Sequence, residues 1–143
     1  MTVAAILARK GRDVLTVPKT TSVAEAVRIL AAKRIGAIVV ADDFHRILGI
    51  VSERDIVRML ANIGTGGLEG TVETIMTAKV VTCTDQDTIN EVMERMTDGR
   101  FRHLPVVEDG RVAGIISIGD VVKARIEQVE REAEEIRAYI AMA

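Results

Sequence analysis

The chain repeats itself, and no other feature constrains its fold as strongly. Val14-Leu15-Thr16 aligns with Val80-Val81-Thr82 at an offset of 66 residues. The same offset pairs Ser22 with Thr88, Val23 with Ile89, Glu25 with Glu91 and Arg34 with Arg100, and it sets Ile38-Val39-Val40 against Leu104-Pro105-Val106. One residue then drops out. At an offset of 65, Gly49-Ile50-Val51-Ser52 meets Gly114-Ile115-Ile116-Ser117, and Asp55 meets Asp120. Upstream the offset is 69, and Thr2-Val3 with Ile6-Leu7 meets Thr71-Val72 with Ile75-Met76. Between these blocks the first copy carries three extra residues in the stretch Ala8 to Asp13, which contains Arg9, Lys10 and Arg12.

Each copy predicts the same order of elements. A short helix, capped by Thr2 or Thr71, precedes a short strand at Val14–Val17 or Val80–Cys83. An amphipathic helix follows, opened by the capping boxes Ser22-x-x-Glu25 and Thr88-x-x-Glu91. Its apolar face is Val23, Ala26, Val27 and Leu30 in one copy and Ile89, Val92, Met93 and Met96 in the other, the i, i+3, i+4, i+7 spacing of one helical face. Two strands then flank a turn, Ala37–Ala41 with Ile47–Val51 and His103–Val107 with Val112–Ile116. Their β-branched runs point to strands buried on both faces. A second helix starts near Ser52 and near Ser117. Between the copies, Gly64-Thr65-Gly66-Gly67-Leu68-Glu69-Gly70 has the composition of a flexible linker. The last helix outruns the repeat, and Val122, Ile126, Val129, Ala133, Ile136 and Ile140 form a heptad seam. That seam serves either the protein's own repeats or a second subunit, and a second subunit is expected because the spacing outlasts the repeat.

Composition narrows the function. Apolar residues make up 48% of the 143, enough for a core, and the net charge of −2 argues against a general nucleic-acid binder. A lone cysteine, Cys83, cannot form an intrachain disulfide, which suits a reducing compartment. No stretch approaches the roughly 18 apolar residues of a spanning helix, and the first residues lack the pattern of a secretory signal. The expectation is a cytoplasmic protein without membrane or nucleic-acid partners. Aromatic residues are confined to Phe44, Phe101 and Tyr139, so a bound flat ring would rest mostly on aliphatic side chains.

Two such copies, each closing with Gly-Ile-apolar-Ser-x-x-Asp, resemble the CBS (cystathionine-β-synthase-like) domain family. The likeness covers about residues 1–126. Gly49-Ile50-Val51-Ser52-Glu53-Arg54-Asp55 and Arg102-His103-Leu104-Pro105-Val106-Val107 are similar to the patterns of small stand-alone CBS pairs, or Bateman modules. The resemblance implies a mixed α/β (α+β) fold of two pseudo-two-fold-related repeats, each β-α-β-β-α with an N-terminal helix. Repeat 1 spans 1–63, a linker 64–70, repeat 2 71–126 and a C-terminal helical extension 127–143. It further implies a cleft with two related positions for adenosine-containing ligands, and no catalytic, channel or transporter domain.

By the same resemblance, Asp55 and Asp120 occupy ribose-binding positions, where a carboxylate accepts hydrogen bonds from adjacent hydroxyls. Their other reading is as helix caps, since Ser-x-x-Asp is also a capping pattern. Ser52 and Ser117 stand at helix starts suited to capping or to an anion. Arg54, Arg102 and His103 form the expected phosphate-binding set, through arginine forks and an imidazole donor. Lys10 either joins them or sits in a solvated loop. Thr16, Ile38, Thr82, Leu104 and Pro105 would border the base, or simply pack in strands. The copies differ: Gly36-Ala37 stands where the second has Arg102-His103, and Ile118-Gly119 stands where the first has Glu53-Arg54.

No catalytic constellation is evident: Cys83 lacks a neighbouring base, His45 and His103 lack metal-ligand spacing, and the Gly-rich linker lacks the Gly-Lys-Ser/Thr of a phosphate loop. The leading expectation is a non-enzymatic energy sensor that binds an adenine nucleotide and signals to a partner, with a homodimer built on the seam. Basic groups favour phosphate-bearing ligands over cationic S-adenosylmethionine. AMP and NAD(H) lead, and ATP follows. The competing readings are a ligand-free dimerisation module and an enzyme acting on a nucleotide.

Overall fold

A computed structural model describes residues 1–142. The chain opens with helix α1 (Val3–Lys10), strand β1 (Thr16–Val17) and helix α2 (Val23–Lys33). The hairpin β2 (Ala37–Ala41) and β3 (Ile47–Ser52) leads into helix α3 (Glu53–Ile63). Two 3-10 turns, Thr65–Glu69 and Val72–Thr74, precede helix α4 (Ile89–Gly99), the hairpin β4 (His103–Glu108) and β5 (Arg111–Ser117), and helix α5 (Ile118–Met142). This is the expected mixed α/β pair of repeats with a long last helix. The expected extension past residue 126 lies on α5 up to Met142, and Ala143 falls outside the described residues.

Local chemistry explains the boundaries. Ser22 and Thr88 each accept a hydrogen bond from the backbone N–H three residues on, at Glu25 (3.1 Å) and Glu91 (3.2 Å). Only half of each expected box forms, and in the first the Glu25 carboxylate turns to Arg28 (2.8 Å). Both helices end on an arginine with positive φ, Arg34 (53°) and Arg100 (55°), whose N–H bonds back to Leu30 and Met96. Thr2 and Thr71 stand at their expected N-cap positions but make no side-chain cap bond.

The first sheet runs β1-β2-β3, with β1 parallel to β2 (Thr16 beside Val39) and β2 antiparallel to β3 (Val39 beside Ile50). The second contains β4 and β5 alone (Pro105 beside Ile115). The expected strand over Val80–Cys83 shrinks to a single bridge of Cys83 to Val106. Pro105 accounts for this. Its carbonyl accepts from the Cys83 N–H (3.0 Å), but it has no N–H to return. In the first copy Val39 occupies that place, and two paired residues form β1.

The repeats exchange their first helices. Val3, Ile6 and Leu7 of α1 are buried in the core of the second repeat, with Ile89, Val92, Leu104, Ile116 and Val121. Val72, with Ile75 and Met76 beside it, packs into the core of the first, with Val23, Leu30, Ile38, Val40 and Val51. Matching hydrogen bonds seal both exchanges: Val3 N–H to the Asp87 carbonyl (2.9 Å) and Val72 N–H to the Thr21 carbonyl (2.8 Å). The motif glycines serve this packing. A Cβ on Gly114 would lie 2.9 Å from Leu7 Cδ1, and one on Gly49 would lie 2.5 Å from Met76 Sδ. Only glycine lets the partner's side chain lie flat on the strand.

Two sequence readings need correction. The Gly-rich linker is largely the 3-10 turn Thr65–Glu69, and Leu68 packs on the first core, so an apolar anchor overrides the composition. The stretch Ala8 to Asp13 of the first copy is only in part the expected solvated loop: Ala8–Lys10 continue α1 and Lys10 bonds Asp120, while Gly11–Asp13 form an exposed loop in which Arg12 bonds Asp85.

Candidate functional site

A cavity of about 620 Å³ opens between the repeats. One wall is the end of β3 and the start of α3, with Ile50, Ser52, Glu53, Arg54, Asp55 and Arg58. A second is the segment entering the second repeat, with Thr77, Lys79, Val80 and Val81. The third runs from the end of α4 into β4, with Arg100, Phe101, Arg102 and His103. Thr77 fixes the second wall by exchanging backbone hydrogen bonds with Ile50 (2.9 and 3.0 Å).

Asp55 stands at the first turn of α3 in a complete capping box. Its Oδ2 accepts from the Ser52 N–H (2.8 Å) and Ser52 Oγ (3.0 Å), while Ser52 Oγ accepts from the Asp55 N–H. One carboxylate oxygen therefore serves the helix. The other, Oδ1, faces Arg58 at a loose 3.9 Å and takes no part in the cap. The cap and ribose readings of this aspartate are thus compatible.

Cationic residues converge here from every wall: Arg54, Arg58, Lys79, Arg100 and Arg102, against the carboxylates of Glu53 and Asp55. Arg54 reaches across the repeat boundary and donates to the Arg100 carbonyl (2.9 Å), tying the start of α3 to the end of α4. Its guanidinium retains further donors. His103 depends on the copy difference seen in the sequence. A Cβ on Gly36 would lie 2.9 Å from the His103 ring, so the glycine in one copy makes room for the imidazole of the other. Burial holds the His103 pKa below the usual imidazole value, with Glu53 pulling it up and Lys10 pushing it down. The ring is therefore a neutral single donor near pH 7.

Five expected residues meet in this cavity: Ser52, Arg54, Asp55, Arg102 and His103. The others do not. Asp120 and Lys10 lie together in a separate pocket of about 130 Å³ with Arg9 and Lys123. Burial raises the Asp120 carboxyl, but hydrogen bonds from Lys10 and the Ser117 N–H outweigh it and hold it below the usual range. Ser117 caps α5 by accepting from the Asp120 N–H (3.2 Å). Ile38, Leu104 and Pro105 are buried in the two repeats rather than on a cavity wall. Thr16 pairs with Val39, and the Thr82 carbonyl accepts from Arg95 (3.3 Å). Ile50, Val80, Val81 and Phe101 supply the apolar lining instead. Lys79, Arg58 and Arg100 escaped the sequence reading. Arg58 alone carried a local signal, three residues after Asp55 on the same helical face.

The arrangement can hold an anion beside a hydroxyl-bearing group. Burial pushes the Cys83 thiol up to about 12, which keeps it in the thiol form near neutral pH. Among the described residues no three His, Cys, Asp or Glu side chains are grouped to hold a metal ion. None of the described helices is long and apolar enough to cross a membrane.

The CBS domain family model matches residues 4–62 and 72–127, one match per repeat. The chain belongs to the CBS domain family. It is similar to the CBS-domain containing protein ATU1752 from Agrobacterium tumefaciens, with 52% identity and a TM-score of 0.85 over 87% of this chain and 99% of that one. The CBS domain protein PAE2072 from Pyrobaculum aerophilum, solved with AMP, is 29% identical with a TM-score of 0.75, over 84% of this chain and 89% of that one. The CBS domain pair of protein MJ0100, solved with 5'-methylthioadenosine and S-adenosyl-L-methionine, is 27% identical with a TM-score of 0.80, over 90% and 98%. Among curated relatives, a mitochondrial CBS domain-containing protein of Arabidopsis thaliana is 35% identical over 83% of this chain, which spans 60% of its length. Other Arabidopsis relatives are spanned to 23%.

Proposed function

We propose that this CBS pair is a cytoplasmic, non-catalytic sensor that binds an adenine nucleotide in the 620 Å³ cavity between its repeats. The observation that carries this reading is the convergence of five cationic residues on a cavity that also presents Asp55. Phosphate would lie among Arg54, Arg102 and His103, beside the start of α3 that Ser52 caps. The Asp55 Oδ1 would accept from the ribose hydroxyls. The base would rest on Ile50, Val80, Val81 and Phe101. Neighbours solved with AMP and with sulfur-containing adenosines support an adenosine ligand. The cationic walls favour AMP or NAD(H), with ATP next, over the sulfonium of S-adenosylmethionine.

Calorimetry of nucleotide-stripped protein against AMP, NADH, ATP and S-adenosylmethionine tests this. Binding of a phosphate-bearing ligand that is lost in Asp55→Ala supports the site. Failure of all four to bind overturns it.

A second reading concerns the output. Val122, Ile126, Val129, Ile136 and Ile140 are each about half exposed or more, so the seam does not pack on its own repeats. Val57 and Ile63 of α3 add further exposed apolar surface. We infer that α5 pairs with a second copy, because a heptad seam is complementary to itself. Ligand binding would bias that pairing or a partner protein reading it. Sedimentation of the protein checks the dimer: Ile126→Lys/Ile136→Lys is expected to shift it to monomer, and a monomeric starting protein contradicts the pairing.

A further inference from the structure

We propose that two copies of this chain pair through α5 in parallel and in register, with Arg125 facing Glu130 and Glu132 facing Arg137 across the interface; this rests on the reading of α5 above as a self-pairing helix. α5 presents two separate faces. Val121 (1% exposed) and Ala124 (4% exposed) hold it on the second repeat. The seam lies on another face. Val122, Ile126 and Val129 are each about half exposed, although they share the same turns with those anchors. Further along, Ile136 and Ile140 are 61% and 67% exposed. The helix is fixed by one side and turns an apolar stripe outward, which a second copy covers with the same stripe.

The spacing decides which charges flank that stripe. In a heptad, Val122, Val129 and Ile136 take position d, and Ile126, Ala133 and Ile140 take position a. Arg125 and Glu132 then occupy g, while Lys123, Glu130 and Arg137 occupy e. In a parallel pair each g side chain meets the e side chain of the next heptad in the other copy. Arg125 therefore meets Glu130, Glu132 meets Arg137, and the two-fold axis makes each pair twice. An antiparallel pair with the whole stripe overlapped would match g with g and e with e. It would set Glu132 against Glu132, Glu130 against Glu130 and Lys123 against Arg137, all like charges. Sliding the antiparallel helices by one heptad removes these clashes but leaves seam residues uncovered at one end of each helix. The parallel arrangement covers the whole stripe and pairs opposite charges. These charges are not engaged within the chain: among the described residues, none of Arg125, Glu130, Glu132 and Arg137 makes an ion pair there. Glu132 accepts a long hydrogen bond from Gln128 (3.4 Å). Because α5 leaves the second repeat at its start, a parallel pair sets the two second repeats together at one end.

The test combines disulfide trapping with sedimentation of the full chain. The native Cys83 is buried, so wild type should give no crosslink. Val122→Cys and Ile136→Cys, each alone, should oxidise to covalent dimers, because d positions in register face one another. Arg125→Glu should weaken the dimer about tenfold, and adding Glu130→Arg should restore it to within about threefold. A dimer in which neither single cysteine crosslinks, while a mixture of Ile126→Cys and Ile136→Cys chains does, would overturn the orientation and keep the pairing. Failure of Glu130→Arg to rescue, or a mass above two chains, would also overturn the proposal. A monomeric wild type would overturn the pairing itself.

Discussion

The two halves of the cleft start from the same motif and end as different chemistry. Ser52-x-x-Asp55 and Ser117-x-x-Asp120 build the same turn, with matching N–H to carboxylate bonds. Around Asp55 the cavity is wide and cationic, and Asp55 Oδ1 faces Arg58 at 3.9 Å. Around Asp120 the space is small and a lysine already sits on the carboxylate at 2.7 Å. Duplication copied the scaffold, and residues outside the motif give the two aspartates different surroundings.

The same comparison can be pressed on the cores. Leu7 and Met76 fill equivalent places beneath Gly114 and Gly49. Leu7 is 1% exposed, while Met76 is partly buried. Leu7→Ala should destabilise the fold by about 2–5 kcal/mol, and Met76→Ala by less, as read by chemical denaturation. Equal losses would mean that the two exchanged segments are equally anchored.

At the site, Asp55→Ala removes a charged acceptor. The expected cost is about 1.5–3 kcal/mol of AMP affinity, roughly 10- to 150-fold in Kd by calorimetry. Asp120→Ala should stay near wild type. A comparable loss in both would break the asymmetry.

The helix caps should behave alike in the two halves. Ser22→Ala and Thr88→Ala each remove one cap bond and should each cost about 1 kcal/mol of stability. A large difference in denaturation midpoints would show that one half unfolds first.

The smallest expected effect is a pH dependence. The folded pKa of His103 lies below its usual value, so the unfolded chain binds a proton first as pH falls. Stability from this group is fully present above about pH 6.5 and is lost as pH drops towards the folded pKa. His103→Asn should flatten that part of the stability profile. An unchanged profile would mean that the ring is not held neutral.

Much of this was legible in the sequence. The offset alignment located both repeats, and the hairpins lie within a residue or two of their expected ends. Period and capping signals are local, which is why α2 and α4 were readable. The exchange of α1 and Val72 between cores was not, because both cores have the same aliphatic composition and either would accept either segment. Nor was the convergence of Lys79 and Arg100, which arrive from separate elements and share no motif with Asp55. Lys10 is the clearest case. The insertion marked it as unusual, but its partner lies 110 residues away and only the folded chain brings them together. The expected base contacts at Ile38 and Leu104 missed the wall because strand residues at the centre of a repeat are buried on both faces.

The most direct test is a crystal structure of the protein grown with AMP. The account predicts a nucleotide in the cavity between the repeats, its ribose on Asp55 and its phosphate among Arg54, Arg102 and His103. Nucleotide on Asp120 with the Asp55 cavity empty would contradict it.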